Sequence, residues 1–212
     1  MRNLFYAALL LSVICSCNDN ASKKKDTKDS AVVMDDPKIE TIDKNALLKN
    51  TTTDILTSIK NKKYAALADY IHPEAGIRFS PYAFVDTVHD VVMSPAKFTE
   101  ELNKNPQQKI LWGEYDGTGD PISLSLNEFM QKFVYPADFL SPENFKVNEF
   151  IGSGNTINNL KDVYKDCDFT ESHFSGFEKK YDGMDWRSLR LVFKMKDGKY
   201  YLVGIVSDQW TI

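Results

Sequence analysis

The chain has 212 residues, with 26 Lys and Arg against 30 Asp and Glu and a formal net charge of −4 at pH 7. That balance supplies no basic groove for a phosphate backbone, so nucleic acid is not an expected partner. Aromatic residues make up 12% of the chain, enough to fill a core and to wall a binding site.

The N-terminal stretch "MRNLFYAALLLSVICSC" has basic Arg2 and then an apolar run from Leu4 to Ile14. The run is too short to span a bilayer and fits the apolar region of a signal peptide. In "ICSC", small Ser16 stands directly before Cys17, with Ile14 three places before it. This resembles the lipobox of bacterial lipoproteins. The resemblance implies that residues 1–16 are a signal peptide and that Cys17 carries acyl chains such as palmitate. Cys15 fits less well, because Ile14 would then occupy the cleavage position. The competing reading is an ordinary secretory signal with two incidental cysteines. Several acyl chains on one residue hold a protein to a bilayer more firmly than the marginal grip of one. The expected address is therefore the bacterial cell envelope, facing periplasm or cell surface, with the membrane as a partner through Cys17.

Residues 17–45 form a tether. From Asn18 to Asn45 the charges are mixed, small polar residues abound and no aromatic occurs. Such a segment buries too little apolar surface to offset chain entropy. Residues 46–212 then read as one α+β domain, within the usual size range.

Leu48, Ile55, Leu56 and Ile59 recur at helical spacing, as do Tyr64, Leu67 and Ile71. They predict one helix over 46–60 and a second over 62–71, ended by Pro73. The stretch Asp69 to Asp86, "DYIHPEAGIRFSPYAFVD", is neither helix nor clean strand, apart from an extended piece around Ile77 to Phe79. Ser94 followed by Pro95 signals a helix start over "PAKFTEELNKN". "KILWGEY" and "ISLS" read as strands around the turn "DGTGDP", and Ser125 to Glu128 is a capping box. "FKVNEFI" and "DFTESHF" read as extended, with a short helix over "TINNLKDVYKD" between them. Two β-rich runs around Asp197-Gly198 form the strongest hairpin signal in the chain. Leu189, Leu191, Phe193 and Met195 alternate on one face of that hairpin, against Arg190, Val192 and Lys194 on the other.

Helices first and an antiparallel sheet last resemble the NTF2-like (cystatin-like) superfamily. That resemblance implies N-terminal helices packed on a curved antiparallel sheet, with a cone-shaped pocket between them. The helices near 95–104 and 126–135 are insertions to that plan. A second resemblance rests on "HPEAGIRFSPY", "WGEYDGTGDPI", "GMDWRSLRLVF" and "YLVGIVSDQWTI". From about His72 to Ile212 the chain looks like a family of uncharacterised exported proteins and lipoproteins of Bacteroidetes and Firmicutes. That likeness implies an exported domain and no particular chemistry.

No motif fixes a reaction. His72 with Glu74, or His89 and Asp90 with Asp86, have metal-ligand chemistry but lack a two-histidine helical spacing. His72 reads more simply as a cap on a helix end. "DGTGD" lacks the ligand pattern of a calcium loop. The flanking Asp166 and Asp168 make Cys167 a poor nucleophile, and Ser80 stands in no nucleophile motif. No cofactor or metal is expected. The candidate pocket draws on His72, Glu74, Arg78, Phe79, Ser80, Tyr82, Trp112, Asp185, Trp186 and Arg190, with arginine forks and aromatic walls for an anion or apolar ligand. The expected function is a lipid-anchored, non-catalytic binding module for a small molecule, glycan or protein. The alternative is an envelope hydrolase or isomerase using His72 or a buried carboxylate among Glu74, Asp86, Glu114 and Asp185.

Overall fold

Asp43 opens the first helix, α1 (Lys44–Lys60), in the computed structural model, which describes residues 43–211. The expected signal peptide, Cys17 and the expected tether as far as residue 42 lie outside the described residues, while residues 43–45, expected in the tether, cap and open α1. The Asp43 carboxylate accepts from the amides of Asn45 at 3.0 Å and Ala46 at 3.2 Å, satisfying donors that a helix start leaves unpaired. The helix therefore begins two residues before the predicted start at 46. It buries Leu48, Ile55, Leu56 and Ile59, and Thr52 reaches across to Thr170 at 3.0 Å.

The second expected helix is a short 3-10 helix, Tyr64–Asp69. After it, the chain bonds to the last strand rather than continuing to coil: the Leu202 amide donates to Tyr70 O at 2.6 Å and the His72 amide donates to Leu202 O at 3.0 Å. The strands β1 (Ile77–Ser80) and β2 (Val91–Met93) flank an irregular loop. Ser94 then caps α2 (Pro95–Asn103), and β3 (Ile110–Glu114) and β4 (Pro121–Leu124) pair as a separate hairpin. The capping box at Ser125 and Glu128 starts α3 (Leu126–Phe129), which widens into a π-helical turn over Met130–Val134. After β5 (Asn144–Val147) comes one helical turn, α4 (Leu160–Val163), where the sequence suggests a longer helix. The strands β6 (Asp168–Phe174), β7 (Arg187–Lys196) and β8 (Lys199–Gln209) complete the fold.

The main sheet has six strands in the order β2-β1-β8-β7-β6-β5. The class is α+β, as expected, but the sheet is mixed: β1 runs parallel to β8, while every other pair is antiparallel. A parallel neighbour needs a long crossover, and here the rest of the domain supplies it. Asp197 and Gly198 both have positive φ, which is the backbone of a tight two-residue hairpin turn.

The two faces of the sheet differ. Ile77, Phe79, Leu189, Leu191, Phe193, Leu202 and Ile205 join α1, α2, α3 and the β3–β4 hairpin in the main core. Trp112 stacks on Phe129 at 4.0 Å and Phe129 on Phe133 at 5.0 Å, so aromatic rings fill the core between the β3–β4 hairpin, α3 and the sheet. A groove of about 290 Å³ persists between α1 and β5, against Leu56, Phe139 and Phe145. Met195, expected beside Leu191 and Phe193, is 38% exposed. The opposite face is covered by loop segments and the single turn of α4. Phe169, Val192 and Val206 pack there against Val85 and Leu160, and the Asn159 side chain ties the two covering segments by bonding both backbone groups of Val85 at 2.8 and 3.1 Å. Among the described residues no helix is long and apolar enough to cross a membrane.

Candidate functional site

Strand alternation puts Phe79 into the main core and Arg78 and Ser80 on the opposite face. Beyond Ser80 the loop turns on Asp86. One carboxylate oxygen accepts from the amides of Val88 at 2.9 Å and His89 at 3.0 Å, and the other meets His89 Nδ1 at 2.8 Å. Aspartate closes such turns because its short side chain mimics a backbone carbonyl. The His89 ring and these amides hold the Asp86 carboxyl at about 2. In return the carboxylate raises the His89 pKa.

The turn brings Asp90 back over β1. Its Oδ2 accepts from Ser80 Oγ and from the Asp86 amide, the latter at 3.0 Å. Its Oδ1 receives no hydrogen bond among the described residues. Burial pushes this carboxyl up to about 6. Arg78 donates to the Asp86 carbonyl at 3.0 Å and so braces the same loop from below.

The loop and the β3–β4 hairpin together wall a cleft of about 180 Å³. Pro81, Tyr82, Phe84, Asp86, His89 and Asp90 line one side, and Trp112, Gly113, Glu114 and Asp116 the other, with Thr156 at the margin. Trp112 is fixed by its indole N–H, which donates to Leu124 O at 2.9 Å. The Asp116 amide donates to the Tyr82 hydroxyl at 3.1 Å, closing hairpin against loop. Phe84 is 46% exposed beside the opening. Four carboxylates border the cleft against His89 in its lining and Arg78 behind it, so the balance at the opening is negative and favours a cation.

A buried ionic network lies further along the same sheet face. Glu171, Arg190 and Asp208 occupy neighbouring strands β6, β7 and β8. Arg190 donates to Glu171 at 2.9 and 3.2 Å and to Gly152 O at 2.9 Å, and its third nitrogen lies 2.8 Å from Asp208. Glu171 also accepts from the amides of Ile151 and Gly152 and from Ser188 Oγ at 2.6 Å. His173 Nδ1 is 2.8 Å from the same Ser188 Oγ. This is a Ser-His-carboxylate set wired in the wrong sense for a nucleophile. The serine proton is given to Glu171, so the serine receives the Nδ1 proton of His173 instead of surrendering its own. Burial also lowers the His173 pKa, which favours the neutral ring.

Comparisons with known protein families, with curated proteins and with solved structures give no match to the chain. The function therefore has to be read from the residues themselves.

The ten sequence candidates do not meet in one pocket. Tyr82 and Trp112 line the cleft, with Arg78 and Ser80 directly behind it. Phe79 is core. Arg190, expected in the pocket as an anion fork, is fully buried in the ionic network. Trp186 packs near His173, with ring centroids 5.9 Å apart. Asp185 accepts from the Glu178 amide in a turn. Glu74 is exposed and pairs with Lys196 at 2.8 Å. His72 does not cap a helix: its Nδ1 accepts from the amides of Glu74 and Ala75 in the following turn. Burial raises the Cys167 pKa, with Asp166 and Asp168 adding to it, which leaves the thiol unreactive. Among the described residues no group of three His, Cys, Asp or Glu is placed to hold a metal ion.

Sequence reasoning weighed Asp90 as a metal ligand and overlooked it as a free acceptor. It also missed Glu171, Ser188 and Asp208. The available signal was a charged residue on each of three strands otherwise rich in buried apolar positions.

Proposed function

We propose that this protein is a lipid-anchored binding module of the bacterial envelope, held at Cys17, which takes a small organic cation in the cleft around Asp90. One observation carries the reading. Tyr82 and Phe84 wall the same opening as Asp86, Asp90, Glu114 and Asp116, with Trp112 fully buried behind them, and Asp90 has one oxygen fixed while the other is free to accept. Aromatic walls with acceptor-only carboxylates suit an alkylammonium or guanidinium group. The lipobox resemblance and the tether composition support the anchored part. The helix-before-sheet order supports an NTF2-like architecture, and the four quoted sequence stretches support kinship with exported lipoproteins.

Titration calorimetry of the full chain in detergent with n-butylamine, agmatine and glucose tests the binding reading. Amines are expected to bind, glucose is not, and Asp90→Asn is expected to weaken amine binding at least tenfold, the loss of one charge-assisted bond. Glucose binding with no amine binding would sink it.

The second reading, an envelope hydrolase or isomerase, is favoured by one fact. Asp86 is held at about 2 and Asp90 at about 6 within one cleft, the separation that assigns base and acid roles. Turnover of chromogenic ester or glycoside substrates, abolished in Asp90→Asn, would place the protein there instead.

A further inference from the structure

A second cavity, of about 200 Å³, opens between the Phe150–Asn158 segment and the end of β8. Phe150, Ser153, Asn158 and Asp208 line it, and Thr156 lines both this cavity and the acidic cleft. Asp208 is 3% exposed, and its Oδ1 has no hydrogen-bond partner. Its Oδ2 lies 2.8 Å from Arg190, whose other nitrogens are already committed to Glu171 and Gly152. A buried carboxylate oxygen left without a donor is costly, and native structures almost always supply one. Asp208 lines the cavity, so a donor bound there would supply the missing bond. The linings of the two cavities together hold five carboxylates, with His89 as their one ionisable base. Between the two acidic ends stands Thr156, with the apolar wall of Phe150 beside it.

We propose that the ligand is a linear polyamine, with one ammonium against Asp90, a second against Asp208, and the methylene chain crossing Thr156. This rests on the reading of the first cleft as a cation site. The second contact turns two weak ammonium sites into one tight one, because the second engagement is intramolecular.

The test is calorimetry on the full chain in detergent at pH 7.5 and 150 mM salt, where long-range charge attraction is screened. Spermidine is expected to bind roughly tenfold or more tighter than n-butylamine. Ser153→Lys adds a cation at an exposed position of the second cavity. It should cut the spermidine advantage to less than about threefold and leave butylamine binding at the Asp90 site unchanged. Asp208→Asn should do the same, and Ser153→Lys keeps the test open if that buried variant fails to fold. Equal affinity for the two amines, or a spermidine advantage untouched by Ser153→Lys, would overturn the polyamine proposal and leave the cleft reading standing. Binding of neither amine would overturn both.

Discussion

Glu171 and Arg190 face each other directly across β6 and β7, both fully shut from solvent, and share hydrogen bonds of 2.9 and 3.2 Å. Asp208 approaches the same guanidinium from β8, so one cation serves two buried acids. Arg190→Met would leave both acids without their counterion. It is expected to cost about 3–5 kcal/mol in urea unfolding, and the double variant Arg190→Met with Glu171→Gln should cost less than the two singles summed. Strict additivity would show that the pair is not coupled.

Asp208 also sets a pH dependence. Burial lifts its carboxyl from the ordinary 3.8 to about 6. The folded chain then takes up this proton before the unfolded chain does, so stability from this group grows as pH falls through 6 and is complete below about 4. Asp208→Asn lacks the change. The wild type should therefore gain about 3 kcal/mol on the variant between pH 7.5 and pH 4. The buried neutral His173 acts in the opposite sense, but it is present in both chains and cancels. A constant difference across that range would contradict the assignment.

Gly204 lies in β8 under the Tyr164 ring. A Cβ there would stand 2.8 Å from the Tyr164 hydroxyl oxygen and 3.1 Å from Cζ. Gly204→Ala is expected to lose about 1–3 kcal/mol in thermal unfolding, as overpacked sites do. Combined with Tyr164→Leu, the loss should be smaller than the sum, because the clash is gone.

The anchor has a direct assay. Cells grown with labelled palmitate should label the wild type and Cys15→Ser, but not Cys17→Ser. Label retained in Cys17→Ser would remove the lipoprotein assignment.

Much of the fold was legible because its signals are local. The α1 face follows from Leu48, Ile55, Leu56 and Ile59, and "DFTESHF" matches β6 residue for residue. Asp197-Gly198 marks the hairpin because few residues accept positive φ at adjacent positions. The cleft was legible in part. Of the run Arg78, Phe79, Ser80 and Tyr82, only Tyr82 lines it; Arg78 and Ser80 brace the loop from behind, and Phe79 faces the core by simple strand alternation. What covers the 62–71 and 156–166 segments is distant in sequence, so their helical periodicity overstated their helices.

The sequence by itself determined the α+β class and the positions of most strands, and it carries the leader pattern and the tether composition, since each depends on neighbours a few residues apart. The tertiary structure alone decided which side chains meet. Near the turn, Phe193 pairs with Leu202; past a bulge at Val192 and Phe193, Arg190 pairs with Val206 rather than Ile205. That shift of one residue flips β8 relative to β7 and turns Asp208, in place of Ser207, toward Arg190. The parallel pairing of β1 with β8 likewise joins residues more than a hundred positions apart. Local propensity carries no information about such register, because it is set by the packing of both sheet faces at once.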